Sequence, residues 1–138
     1  MEINYAAVLL ATILQFLWGA VWYTFIFGNA WRKIHSFDKH TKEEQEKMMK
    51  GMAPFYAIQF FITLVSTFVF ALFAQNNPHE WNIFGEAGFF WVGFVVPTQI
   101  SAVIFGGTEN KSMVKKIAIM AGGSLVCFMI AATIIYIM

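Results

Sequence analysis

His35, Asp38 and His40 bring two imidazoles and a carboxylate within six residues, side chains that could hold a metal ion or pass a proton near neutral pH. Their spacing matches no standard zinc pattern, and no metal is expected there. Cys127 is the single cysteine. It stands inside an apolar run with no positive neighbour to stabilise a thiolate, so neither an intrachain disulfide nor an activated nucleophile is predicted. The sequence holds no Gly-rich phosphate loop, no Gly-x-Ser-x-Gly elbow and no Cys-x-x-Cys pair, and no cofactor is predicted. Acid-base chemistry would have to come from loop residues such as His35 or Glu109.

What remains is uncharged and lies within long apolar runs. At about 1.5 Å of helical rise per residue, Gln59, Thr98, Gln99 and Ser124 fall at a similar depth, while Gln15, Thr63, Ser66 and Cys127 fall near the middle. Gln59, Thr63, Ser66 and Thr67 recur at steps of four and three along one helical face. Two readings fit. Gln59, Thr63, Pro97, Thr98, Gln99 and Ser124 could line a site for a small polar or amphipathic ligand, with Pro97 freeing a backbone carbonyl. Alternatively the same groups tie helices together, beside a seam of small residues in which Gly123, Cys127 and Ala131 recur every fourth position and Ala118 and Gly122 repeat the spacing.

These residues need long helices to position them. Of the 138 residues 59% are hydrophobic and only 12% charged, against about 25% charged in soluble domains. The runs from Ile3 to Trp31, Gly51 to His79, Ala87 to Thr108 and Ile117 to Met138 contain no Asp, Glu, Lys or Arg, and each is at least 22 residues long. About 20 apolar helical residues span the hydrocarbon core of a bilayer. The pattern predicts an all-α integral membrane protein, a four-helix bundle within one transmembrane domain over 1–138, with helices near 4–27, 53–75, 84–105 and 116–137. A cleaved signal peptide is not expected, because Glu2 is the only charge ahead of the first run. No carboxylate, Lys, Arg or His is expected inside the spans, which argues against proton relays, ion-coupled carriers and voltage sensors.

Charge sets the orientation. All nine Lys and Arg fall in two connections, Gly28 to Lys50 and Gly106 to Lys116, whereas Gln75 to Glu86 and the N-terminus offer only Glu80, Glu86 and Glu2. The positive-inside rule places both basic loops in the cytoplasm and both termini outside. Within the first loop, Thr41 and Glu44 fit a capping box, and Glu43 with Lys47 and Glu46 with Lys50 stand in the favourable i, i+4 order. A short cytoplasmic helix is therefore predicted over about 42–50. Its mixed charges argue against nucleic acid as a partner; the lipid bilayer is the expected one.

Aromatic residues bracket the spans as an interfacial belt would. Tyr23, Trp31 and Tyr56 fit the inner boundary and Tyr5, Trp81 and Tyr136 the outer one, while Trp18, Trp22 and Trp91 lie deeper and suit packing between helices. The stretch WYTFIFGNAW, with Trp22, Tyr23, Gly28 and Trp31, and the later GFVVPT, with Pro97 and Thr98, resemble the two markers of the small bacterial membrane proteins grouped as domain of unknown function 1761. The hydropathy profile matches that family along essentially the whole chain. Thr24 and Phe25 stand where the family often has Ser-Pro, so a proline kink is not implied at that point. The resemblance implies a four-helix inner-membrane fold and no assigned activity.

FIFGNAWRK at 25–33 also aligns without a gap with VIFGGTENK at 103–111, each ending a helix that runs the same way. A distant parallel duplication would explain this, as would Phe-Gly serving twice as a helix end. The residues favour a non-catalytic module that packs helices, forms a homo-oligomer or supports a partner. A passive conduit or simple carrier for a small solute is the alternative, and a membrane-embedded enzyme acting on lipid the third reading.

Overall fold

The computed structural model describes residues 2–77 and 81–138; Glu80, counted above among the acids of the second connection, lies outside them. Seven α-helices form the described chain: α1 (Tyr5–Val21), α2 (Gly28–Ile34), α3 (Lys42–Gly51), α4 (Ala53–Gln75), α5 (Ile83–Phe90), α6 (Val96–Phe105) and α7 (Asn110–Ile137). α1 continues through a π-helical turn, Trp22–Ile26, and a second π turn, Trp91–Val95, joins α5 to α6. Four helical stretches are thus long and apolar enough to cross a membrane: Tyr5–Ile26, Ala53–Gln75, Ile83–Phe105 and Asn110–Ile137.

Local chemistry fixes the ends. Asn4 caps α1 by accepting from the Ala7 amide at 3.1 Å, and Asn82 caps α5 by accepting from Gly85 at 2.7 Å. Thr41 and Glu44 form a reciprocal capping box at the start of α3, and the Thr41 amide, more than the His40 ring beside it, holds the Glu44 carboxyl below the usual carboxylate range. Pro54 sits in the first turn of α4, where no amide is missed. α7 begins at Asn110 rather than near 116. The Ser112 amide bonds to Glu109 at 2.9 Å, so the helix is already wound through Lys111, Lys115 and Lys116 before the apolar stretch begins.

The second π turn has a visible cause. Pro97 cannot donate to the Gly93 carbonyl four residues back, and its ring crowds that carbonyl, so the helix widens just ahead of it. Thr98 closes one exposed carbonyl by donating to Phe94 at 2.6 Å. The first π turn contains no proline. There the Thr24 hydroxyl bonds back to the Ala20 carbonyl within the widened turn.

α7 is the central helix. It packs against α1 on one side and against α5 and α6 on the other, and α4 lies against α1 and, at the end away from the basic residues, against α5. Small buried residues permit these approaches: Ala7 and Ala11 on α1, Ala71 on α4, Ala87 on α5, and Gly123, Ala131 and Ala132 on α7. Phe70 packs in a buried cluster with Ala87, Ala131 and Ala132, edge-on to Phe90 and Phe128. Large apolar side chains such as Leu17, Phe25, Phe61, Val92 and Phe105 stand exposed on the outside. A surface of that kind is stable in hydrocarbon and insoluble in water.

Candidate functional site

Two indoles converge on one stretch of α7. Trp22 opens the first π turn, and its Nε1 donates to the Ile119 carbonyl at 2.8 Å. Its ring lies on the Gly122-Gly123 pair: a Cβ added at Gly123 would come within 2.8 Å of the indole, and one added at Gly122 within 3.1 Å. Trp91 opens the second π turn and donates to the Ala121 carbonyl at 2.9 Å and to Ser124 Oγ at 3.1 Å. Each π turn therefore starts at a tryptophan that reaches the α7 backbone between residues 119 and 124. The aligned repeat does not match this pattern, because pairing Phe27-Gly28 with Phe105-Gly106 sets Trp22 against Ile100 rather than Trp91. The two Phe-Gly ends also differ. Gly28 is buried at the start of α2, whereas Gly106 is followed by Gly107 at a φ of +75°, a left-handed end to its helix.

Below Trp22 the other marker residues link α2 to α7. The Tyr23 ring stands 4.6 Å from that of Trp31, and Trp31 stands 4.6 Å from the His35 ring. Lys116 Nζ lies 5.8 Å from the Trp31 centroid and donates to Thr108 Oγ1 at 3.3 Å. Burial, with a smaller push from Lys116, holds the His35 imidazole below its ordinary range. The unfolded chain takes the proton first, so the stability this gives is intact above the ordinary imidazole range and is lost as pH falls through the lowered value. An NMR titration should find the His35 midpoint below about 6.5, and Lys116→Ala should raise it without restoring the free value, because burial remains. An unshifted His35 in the wild type would contradict the packing described.

His35 and His40 have separate partners. His40 Nδ1 pairs with Glu44 at 3.2 Å, and no group of three metal-ligating side chains exists among the described residues. Glu109, the other loop residue with acid-base capacity, pairs with Lys111 at 3.2 Å on the surface.

The band of uncharged polar residues divides into separate sets. Gln99 and Ser124 join α6 to α7: Gln99 Nε2 donates to the Met120 carbonyl at 3.4 Å, and Ser124 Oγ lies 3.5 Å from Gln99 Oε1. Gln59 and Thr63 lie along α4, where the Gln59 amide reaches Thr63 Oγ1 at 3.4 Å. Gln59, Pro97 and Thr98 are exposed on the outer surface. Half-buried Gln15 donates to the buried Thr67 Oγ1 at 2.8 Å across α1 and α4. Cys127 Sγ stands 3.9 Å from the Gln15 carbonyl, one turn of α7 beyond the Trp22 bed.

A carboxylate does lie inside a membrane-length helix. Glu86 is only 1% exposed, four residues into the third membrane-length helix, which corrects the expectation of a charge-free interior. Asn77 donates to its Oε1, while Oε2 is buried without a partner among the described residues. The signal was present in the sequence: Glu86 already falls within the expected helix 84–105, and Asn82 is an N-cap residue type that starts the helix just ahead of it.

Apolar helices of membrane length, an outward apolar surface and a small-residue interior define a multi-pass helical membrane protein. The chain belongs to the family described as Protein of unknown function (DUF1761), whose model matches residues 6–136. No curated protein and no solved structure matches it.

Proposed function

We propose that the protein is a non-catalytic module of a bacterial inner membrane that associates with a second copy of itself through the outward face of α4, its basic loops in the cytoplasm and both termini outside. The observation that carries this is a seam on α4. Phe55, Ile58, Ile62, Val65, Val69 and Leu72 recur at alternating steps of three and four, and every one is exposed. That heptad spacing is the pattern by which helices pack at about 20° in left-handed pairs. Gln59 and Ser66, seven apart and also exposed, flank the seam.

The polar flank supports an occupant other than lipid. Within the described chain the Gln59 amide has the single long bond to Thr63, and it lies about 9 Å inside a helix that would cross hydrocarbon. An amide left unbonded in an apolar medium costs several kcal/mol, and a facing helix would satisfy it. A self-complementary seam used twice gives a closed two-fold dimer. In membranes, Ser66→Cys in a Cys127→Ala background should crosslink as a dimer, whereas Val92→Cys, on a different exposed surface, should not. Adding Gln59→Leu should weaken association about threefold to tenfold, the size of one or two interhelical hydrogen bonds. A monomer by mass in lipid nanodiscs, with no Ser66→Cys product, would remove the proposal.

A further inference from the structure

At the basic end of the bundle, α2, the connection from α6 to α7 and the start of α7 meet around one ammonium. Lys116 is the last charged residue before the apolar run that begins at Ile117, and Trp31 follows the first membrane-length helix, which ends at Ile26. Lipid headgroups lie at that boundary. Lys116 is half-buried and held by two contacts: its Nζ donates to Thr108 Oγ1 at 3.3 Å and stands 5.8 Å from the centroid of the Trp31 ring. Gly107, at a φ of +75°, turns the chain from α6 into the contact that Thr108 makes.

This ammonium has no counter-charge in the chain. The acids of the two basic connections are Asp38, Glu43, Glu44, Glu46 and Glu109, and the ion pairs they make among the described residues go to His40 and Lys111. The nearest titratable neighbour is instead His35, whose ring stands 4.6 Å from that of Trp31 and which Lys116 repels when it is protonated. A half-buried cation without an opposite charge is costly to keep desolvated. Two of its three N-H groups have no partner among the described residues, and Thr108, which accepts from Lys116, keeps its own O-H for a further acceptor. An anion with several acceptor oxygens meets all of these needs, and a phosphate is one. A lipid carries its phosphate at this boundary at high effective concentration.

We propose that Lys116 and Thr108, backed by the Trp31 ring, bind the phosphate of an anionic phospholipid. The site does not depend on the α4 seam. Native mass spectrometry of the full chain from dodecylmaltoside micelles, titrated with dioleoylphosphatidylglycerol, should show a saturable lipid adduct, and dioleoylphosphatidylcholine, whose headgroup has no net charge, should bind about fivefold or more weakly. Lys116→Gln should weaken phosphatidylglycerol binding by about fivefold or more. Lys111→Gln removes the same charge from the same end, but from an exposed pair with Glu109, and should cost less than about twofold. Thr108→Val, which removes the hydroxyl, should weaken binding about threefold and decides the matter if Lys116→Gln does not fold. Excess inorganic phosphate should leave the lipid bound, because it lacks the chains that hold the headgroup at the boundary. Bound phosphate should also lift the titration midpoint of His35 from its lowered lipid-free position, and further than that of His40, which pairs with Glu44. No saturable adduct, no loss in the folded Lys116 or Thr108 variant, equal losses from Lys116→Gln and Lys111→Gln, displacement by free phosphate, or a His35 midpoint that moves no further than that of His40 would overturn the assignment.

Discussion

Gly123→Leu should destabilise the protein by about 3 kcal/mol or more, because the site has no volume to give. The Cβ alone would fall 2.8 Å from Trp22 Cδ1 and Nε1, closer than real contacts allow. The indole cannot step aside cheaply. Its N-H is bonded to Ile119, and the Phe27 and Trp18 rings stand 4.6 and 5.4 Å away. Either the indole bond breaks or α1 and α7 separate, and these two helices form the most extensive pairing in the bundle. Gly122→Ala is the milder control, since its Cβ meets only the ring edge at 3.1 Å, and about 1 kcal/mol is expected. Both can be read as the SDS fraction at which the protein unfolds in mixed micelles. If Gly123→Leu unfolded with the wild type, Trp22 could not be seated on this pair.

The existence and rough limits of the four long helices follow from charge-free runs, because a bilayer-length apolar stretch leaves the backbone no alternative to internal hydrogen bonding. The start of α7 was less legible for a physical reason: hydropathy marks where lipid ends, and helical winding continues through Lys116, Lys115 and Lys111 regardless. A fixed rise per residue sets an expected depth within a span, and it groups Gln59, Thr98, Gln99 and Ser124 in one expected layer. Azimuth has no such rule. A helix apolar around its whole circumference has no polar side to orient it, so nothing in the sequence separates outward Gln59 and Thr98 from inward Gln99 and Ser124. The π turns add to this, since each extra residue rotates everything beyond it. Pro97 hints at the second turn, but Trp22–Ile26 leaves no comparable mark.

Trp22→Ala should cost about 3 to 5 kcal/mol, the largest loss expected from truncating one side chain here. Removing the ring opens a cavity over two glycines that cannot fill it, and it leaves the α1 π turn without its anchor on Ile119. Trp22→Phe keeps much of the ring area and loses the indole bond, so the difference between the two variants separates packing from the hydrogen bond, with about 1 kcal/mol expected for the latter. A double-mutant cycle then tests the contact itself. Gly123→Ala should be costly beside Trp22 and nearly neutral, or stabilising, beside Ala at position 22, because the new methyl would occupy the space the ring left. A coupling of about 1 to 3 kcal/mol is expected for residues in direct contact. Additive losses would mean that the two residues act separately, and that the aromatic marker in α1 is retained for something other than its seat on α7. With the expected coupling, Trp22 and Gly123 form one joint between the first and last membrane-length helices, and residues 119–124 of α7 hold both π turns in place.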